Sequence, residues 1–417
     1  TLGTKAFFAG GEALLGSNWY ETDKVEIYDL ATGTWQMDYL TQARTFPIGV
    51  TCRDRVFFAG GIYNFPNNTS TRVDIYNSLG LWDSHDLSVP RFALSAVSND
   101  SLILFAGGGD IMLGIGYDVV DIYDITTDQW SVDHLSECRA AMGSVVAGDM
   151  AFFAGGDCGT FWSKRVDIYH FSTGTWTIDS LSLARSWVGA TAVGSKVIFA
   201  GGGVEGGELS KVVDIYDIES DTWETAELSV ARGFFGQQQG VTINGKAYFV
   251  GGTSFTTDYD TIDVYDPETN EWSVMTMPNR LTDNAVVAID SSLLIAGGFT
   301  YTTYPYGEAQ NNVDIWTDPE VGLDESAVGG QRSAVTCYPN PTRGIVDLQF
   351  TVYSLQSITL KIYDIQGREV AVVLDEEMAA GEHIVRFNAE SLPAGIYFYR
   401  TSNIEHRQPA IGKLVKY

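Results

Sequence analysis

The chain has 417 residues, with 53 Asp and Glu against 25 Lys and Arg, a formal net charge of −28 and 45% apolar residues. A polyanion of this kind is repelled by nucleic acid and by anionic lipid, so neither is an expected partner. No apolar run reaches the roughly 18 residues of a spanning helix, which leaves no candidate membrane span.

From the first residues onward, a pair of adjacent glycines recurs. It stands at Gly10-Gly11, Gly60-Gly61, Gly107-Gly108, Gly155-Gly156, Gly201-Gly202, Gly251-Gly252 and Gly297-Gly298, in steps of 50, 47, 48, 46, 50 and 46 residues. An apolar strand precedes each pair, as in Lys5-Ala6-Phe7-Phe8-Ala9 and Lys196-Val197-Ile198-Phe199-Ala200. After a variable loop of 9 to 14 residues comes a short strand with an acid in second place, at Glu26, Asp74, Asp121, Asp167, Asp214, Asp263 and Asp314. A tryptophan then opens a further strand in six units (Trp35, Trp82, Trp130, Trp176, Trp223, Trp272), and an arginine follows (Arg44, Arg91, Arg139, Arg185, Arg232, Arg280). Segments such as Gly189-Ala190-Thr191-Ala192-Val193 then begin the next unit as its innermost strand.

A period of about 48 residues suits a four-stranded blade and is too long for leucine-rich or ankyrin repeats. Blades packed face to face cover both faces of each sheet, which permits strands apolar on both sides. The double glycine with its spaced tyrosine and tryptophan resembles the kelch repeat over residues 1 to 318. That resemblance implies an all-β, kelch-type β-propeller, and the seven repeats make it a seven-bladed ring, with a six-bladed ring and a leftover unit as the alternative. The alignment places Thr1 near the end of an innermost strand, so upstream residues are expected to complete the first blade.

An acidic, small-residue linker is expected over residues 319–336. The last segment, 337–417, has another texture, with strands expected at Ile345–Val352, Ile358–Tyr363, Val370–Leu374, His383–Phe387, Ile396–Arg400 and Gly412–Val415. Asp364-Ile365-Gln366-Gly367 reads as a hairpin turn between two of them. Short strands with turns every ten or so residues suggest a small Ig-like β-sandwich. The order Tyr338-Pro339-Asn340-Pro341, Lys361-Ile362-Tyr363-Asp364-Ile365-Gln366-Gly367-Arg368, Leu392-Pro393-Ala394-Gly395-Ile396-Tyr397 and Gly412-Lys413-Leu414-Val415 resembles the C-terminal sorting domain of type IX secretion substrates. The resemblance implies a handoff to the secretion machinery through residues 337–417. The product would be secreted or held on the outer surface of a gram-negative bacterium.

Four cysteines do not make a disulfide scaffold. If Gly148-Asp149 is a two-residue hairpin turn, however, Cys138 stands opposite Gly159 and beside Cys158, so a Cys138–Cys158 bridge is expected and would suit an oxidising exterior. Cys52 and Cys337 look like unpaired small core residues.

Catalytic chemistry is not legible. The five histidines (His85, His134, His170, His383, His406) form no His-x-x-x-His pair, no Cys-x-x-Cys occurs, and no metal site or cofactor is expected. The triple glycines at Gly107 to Gly109 and Gly201 to Gly203 lack the lysine and helix of a phosphate loop. The repeated acids suit internal ion pairs, since seven catalytic acids in a ring make no chemical sense.

Function is expected where the repeats differ. The loops after the glycine pairs and the turns bearing the arginines should share one face, because the inner two strands of a blade are antiparallel. Aromatic residues crowd that face: Trp19, Tyr20, Tyr63, Phe65, Tyr117, Phe161, Trp162, Phe255, Tyr259, Tyr301, Tyr304 and Tyr306, with Phe46, Phe92, Trp187 and Phe234 from the turns. Such rings suit stacking on sugars or anchoring a polypeptide. Two functions follow as expectations. The first is a monomeric, noncatalytic recognition protein for a protein or glycan ligand. The second is a secreted carbohydrate-active enzyme, a sugar isomerase or oxidase, because related propellers host such activities.

Overall fold

The computed structural model describes all residues except 16–17, 65–67, 111–113, 235–239, 255–256, 278–284, 290–291, 298, 304–305, 310–312, 318–335, 339–343, 353–355, 365–367, 380, 391, 394, 402–410 and 417. The described residues form no helix, and the chain divides into two compact units, Thr1–Val321 and Gly322–Tyr417. The expected linker therefore lies outside the described residues up to 335, and Thr336 already begins a strand.

Among the described residues, the first unit strings together seven antiparallel sheets of three or four strands. The second sheet is representative, with Ile48–Cys52 innermost, then Arg55–Ala59, Arg72–Asn77 and, outermost, Trp82–Asp86. The first sheet holds Lys5–Ala9, Lys24–Asp29 and Thr34–Tyr39, and the last holds Ala285–Ile289, Ser292–Ala296 and Val313–Thr317. Burial follows position within the sheet. In the second strands Val56 to Ala59 and Val197 to Ala200 every residue is buried, whereas the outermost Trp82–Asp86 is largely exposed. Buried side chains therefore point to both faces of the middle strands, because a neighbouring sheet covers each face.

Each interface between consecutive sheets has its own apolar cluster. Leu104 and Ile122 of the third sheet meet Ala151 and Phe153 of the fourth. Phe152 and Ile168 of the fourth meet Val197 and Phe199 of the fifth. Ile289 and Leu294 of the seventh sheet cluster with Ala6 of the first. Within the sheets, a tyrosine faces the repeat tryptophan across the outer strand pair. Ring centroids lie 4.9 Å apart for Tyr28 and Trp35, 4.8 Å for Tyr123 and Trp130, and 5.0 Å for Tyr216 and Trp223. Truncating one such tryptophan should cost about 3–5 kcal/mol.

The second unit contains two antiparallel sheets around one core. Thr336–Tyr338, Ile345–Val352 and Gly381–Asn388 form one; Glu369–Met378, Gln356–Asp364, Gly395–Thr401 and Ile411–Lys416 form the other. Val346 and Leu348 from the first sheet bury against Ile358, Leu360, Ile362, Tyr397 and Leu414 from the second. The expected hairpin turn at Asp364 to Gly367 falls mostly outside the described residues.

Candidate functional site: the loop face

The repeat residues themselves build one end of the first unit. Arg139 stands in the connection that enters the fourth sheet, and its backbone carbonyl accepts from Gly108 N of the third sheet at 2.9 Å. The same contact joins Gly61 to Arg91 at 3.1 Å, Gly156 to Arg185 at 2.9 Å and Gly202 to Arg232 at 2.9 Å. This approach explains the glycines. A Cβ on Gly155 would lie 2.4 Å from the Arg185 carbonyl oxygen, and one on Gly156, with φ of 101°, would lie 2.6 Å from that of Ala140. No side chain fits such a gap.

The guanidinium groups turn inward. Arg44 pairs with Asp74 at 2.7 Å, Arg91 with Asp121 at 2.6 Å, Arg185 with Asp214 at 2.5 Å and Arg232 with Asp263 at 2.6 Å; Arg139 pairs with Asp167. All five arginine side chains are fully buried. Each also donates to the second strand of its own sheet, as Arg44 Nη2 does to Phe58 O at 2.9 Å and Arg139 Nη1 to Phe153 O at 3.2 Å. Burial pushes the Arg185 guanidinium down to about 10, with Asp214 opposing the shift. The repeated acids and arginines are thus spent on internal pairs in these five sheets. Glu26 of the first sheet is exposed, and Arg280 lies outside the described residues.

The residue after each arginine bridges to the loop that follows a glycine pair: Thr45 to Ile62, Phe92 to Gly109, Ala140 to Asp157, Ser186 to Gly203 and Gly233 to Thr253. The variable loops and the arginine turns therefore share one face. Several loops are short hairpins, including Glu12–Leu15 with Asn18–Glu21 and Ile62–Tyr63 with Asn68–Thr69. A disulfide joins Cys138, in the turn just before Arg139, to Cys158 of the fourth loop, their Cα atoms 5.5 Å apart. Ala147 does pair with Met150 across the Gly148-Asp149 turn, in the register that sets Cys138 beside Cys158. Cys52 is buried and free; its thiol donates to Asn99 O at 3.1 Å, and burial pushes it up to about 11.

The aromatic residues divide by environment. Tyr20, Phe46 and Phe161 are exposed, at 47%, 39% and 41%. Tyr63, Tyr117, Trp162, Tyr259 and Trp187 are half-buried. The Trp162 ring lies over Gly203, where an added Cβ would come within 3.0 Å of it, so this indole also packs one loop onto the next. Trp19, Tyr301 and Tyr306 lie in loop strands, and Phe65, Phe255 and Tyr304 lie outside the described residues. Phe92 and Phe234 correct the expectation, because both are buried. Phe234 packs against Phe249, ring centroids 6.3 Å apart, and under the Arg232 guanidinium at 5.4 Å. Phe92 stands at the bridged position, whose side chain turns into the apolar layer with Ile62 and Ala140.

Sequence reasoning missed a series two residues after the arginine. Phe46, Ala93, Ala141 and Trp187 all adopt left-handed backbone conformations, with φ of 53°, 50°, 54° and 55°. Each such non-glycine conformation costs on the order of 1–3 kcal/mol and persists because its surroundings hold it. Here the holding groups are backbone: Ala141 N donates to Ala93 O at 2.9 Å, Trp187 N to Ala141 O at 2.8 Å and Phe234 N to Trp187 O at 3.1 Å. Beneath this arc a hollow opens between the loop-face ends of the innermost strands. It is lined by Ile48, Leu94, Ser95, Met142, Ser144 and Val188, among others. The one signal in the sequence is the alignment on arginine, which puts two alanines between a phenylalanine and a tryptophan.

Stacked three- and four-stranded sheets, glycine-docked turns and arginine–aspartate pins define an all-β, propeller-like protein. Residues 239–277 match the kelch motif, and residues 336–416 match the secretion system C-terminal sorting domain. Among solved structures, that titled "Structure of YjhT" superposes with a TM-score of 0.51 and 15% sequence identity, covering 65% of this chain and 97% of that one. At this identity the likeness speaks for the fold. No curated protein sequence matches the chain. The chain therefore carries a kelch motif and a type IX sorting domain, and the latter implies interaction with the secretion machinery and a location outside the cell or on its outer surface. No helix among the described residues is long and apolar enough to cross a membrane, and none of their His, Cys, Asp and Glu side chains cluster as a metal site.

Proposed function

We propose that the chain is a noncatalytic recognition protein, exported through its sorting domain and acting as a monomer, that binds a protein or glycan ligand with its loop face. Its first unit is a seven-bladed propeller spanning residues 1–318, and its last, 337–417, an Ig-like sandwich. Support for the seven blades comes from the apolar cluster that joins the seventh sheet to the first. The functional reading is carried by one observation: the loop face presents large rings to solvent at Tyr20, Phe46 and Phe161, while its five described turn arginines are buried against aspartates. Exposed rings gain from being covered by a partner, and tied guanidinium groups have no freedom to act on a substrate. Binding of the full chain to arrays of glycans and extracellular proteins, compared with a Tyr20→Ala, Phe161→Ala variant, tests this. A ligand bound by the wild type and weakened about tenfold or more in the variant is expected. A ligand held equally by both would remove the loop face from consideration.

A further inference from the structure

We propose that the Cys138–Cys158 disulfide is a redox-sensitive lock on the loop face. Closed, it fixes the tip of the fourth loop, residues 158–161 with the exposed Phe161, against the third loop. Open, it frees that tip while the sheets beneath stay folded. The lock acts whatever the face binds, and so goes beyond the recognition reading.

The fold itself does not need this bond. Four other loops of the same face are held by the same backbone bridge, Thr45 to Ile62, Phe92 to Gly109, Ser186 to Gly203 and Gly233 to Thr253, and none of them carries a cysteine. In the fourth sheet the equivalent residues, Ala140 and Asp157, exchange two hydrogen bonds of 2.7 and 3.0 Å. The ladder beyond them runs from Gly143 with Ala154 to Ala147 with Met150. These contacts keep the two cysteines neighbours with or without the bond, which makes the lock reversible.

The bond matters beyond Asp157. Within the tip, Cys158 N donates to Phe161 O at 3.1 Å and Gly159 N to Asp157 Oδ1 at 3.1 Å. Among the described residues, no hydrogen bond runs from 158–161 to another loop. The tip meets the third loop glycine to glycine: a Cβ on Gly159 would lie 2.5 Å from Gly114 O, and one on Gly116 would lie 3.2 Å from Cys158 Sγ. Such a contact buries little apolar area and is weak without a tether. The disulfide is that tether. Cys138 precedes Arg139, whose N–H donates to Tyr117 O of the third loop at 3.0 Å, and the bond carries this anchorage to Cys158.

Cys138 is half-buried and Cys158 buried, so Cys138 is the more accessible half of the bond. A thiolate of a dithiol reductant bonds to Cys138 Sγ, the S–S bond breaks, and Cys158 leaves as a thiolate that takes up a proton. The second thiol of the reductant then displaces Cys138. The protein has gained two electrons and two protons, and the reductant departs as its own disulfide. Closure is the reverse, driven by a disulfide oxidant. A chain exported through its sorting domain leaves a reducing cytoplasm for an oxidising exterior, so export closes the lock.

Chymotrypsin cleavage after Phe161, followed by mass spectrometry on the full chain, reads the lock directly. Four samples are compared: oxidised chain, chain reduced with dithiothreitol and capped with iodoacetamide, chain reduced and then reoxidised with oxidised glutathione, and a Cys138→Ala, Cys158→Ala variant. Far-UV circular dichroism and thermal melts establish that each is folded. Cleavage after Phe161 should be about tenfold or more faster in the capped chain and in the variant, and should return to the oxidised rate on reoxidation. Equal rates in all four samples would overturn the lock. So would cutting within Met150–Ala154 that keeps pace with cutting at Phe161, because the bond would then be holding the sheet. A disulfide that dithiothreitol leaves intact in the folded chain would overturn it as well. No ligand enters the measurement, so its outcome is separate from that of the recognition reading.

Discussion

Arg91 Nη2 lies 2.6 Å from Asp121 Oδ2, and both side chains are buried. The other Asp121 oxygen accepts from Ser88 N at 3.0 Å, and Arg91 donates onward to Val89 O and Phe105 O. One acid thus grips both ends of the connection that carries the chain from the second sheet into the third. Removing one partner leaves the other buried and uncompensated. Arg91→Met should therefore lower stability by about 3–5 kcal/mol, and Arg91→Met with Asp121→Leu by less than the single change. Urea unfolding midpoints measure both.

The Cys138–Cys158 disulfide closes a 20-residue separation immediately before Arg139. Cys138→Ser with Cys158→Ser should lower stability by roughly 3 kcal/mol in denaturant titrations, the loop-entropy expectation for this length. Alkylation without reductant should label neither cysteine in the wild type.

Tyr123 and Tyr216 donate to Asp128 and Asp221 at the tips of their outer hairpins. Burial first, and these hydrogen bonds second, push both phenols from 10.0 up to about 12. The folded state therefore holds the phenol protons more tightly than the unfolded chain does. The resulting stabilisation is complete below about pH 10 and lost as pH rises toward 12. A Tyr123→Phe, Tyr216→Phe variant should lose less stability than the wild type between those limits, as read from thermal melts across that range.

Removal of residues 336–416 should abolish export while leaving the first unit folded, since each unit buries its own core. Fractionation of a type IX-competent host would place the truncated chain inside the outer membrane and the full chain outside it. Equal export of both would contradict the role of the tail.

Much of this architecture could be read from residue types alone. Asp74, Asp121 and their equivalents recur at one strand position, and an arginine recurs at one turn position, because each pair pins the turn that enters a sheet to that sheet's third strand. Tyr76 and Trp82 likewise recur because they face each other, 5.1 Å apart. The site was less legible. Composition treats Phe46 and Phe234 alike, and both stand two residues after an arginine, yet only Phe46 adopts the left-handed conformation and is exposed, while Phe234 is buried against Phe249. Nor does a sequence display the left-handed φ at Ala93 and Ala141, which depends on carbonyl partners supplied by neighbouring sheets.

Recognition through the loop face is tested most directly by hydrogen exchange of the full chain with and without a bound ligand. Slowed exchange is expected in residues 157–164 and 186–188, around Phe161 and Trp187, with the outermost strands such as Gln129–His134 unchanged. Protection confined to those outer strands would contradict it.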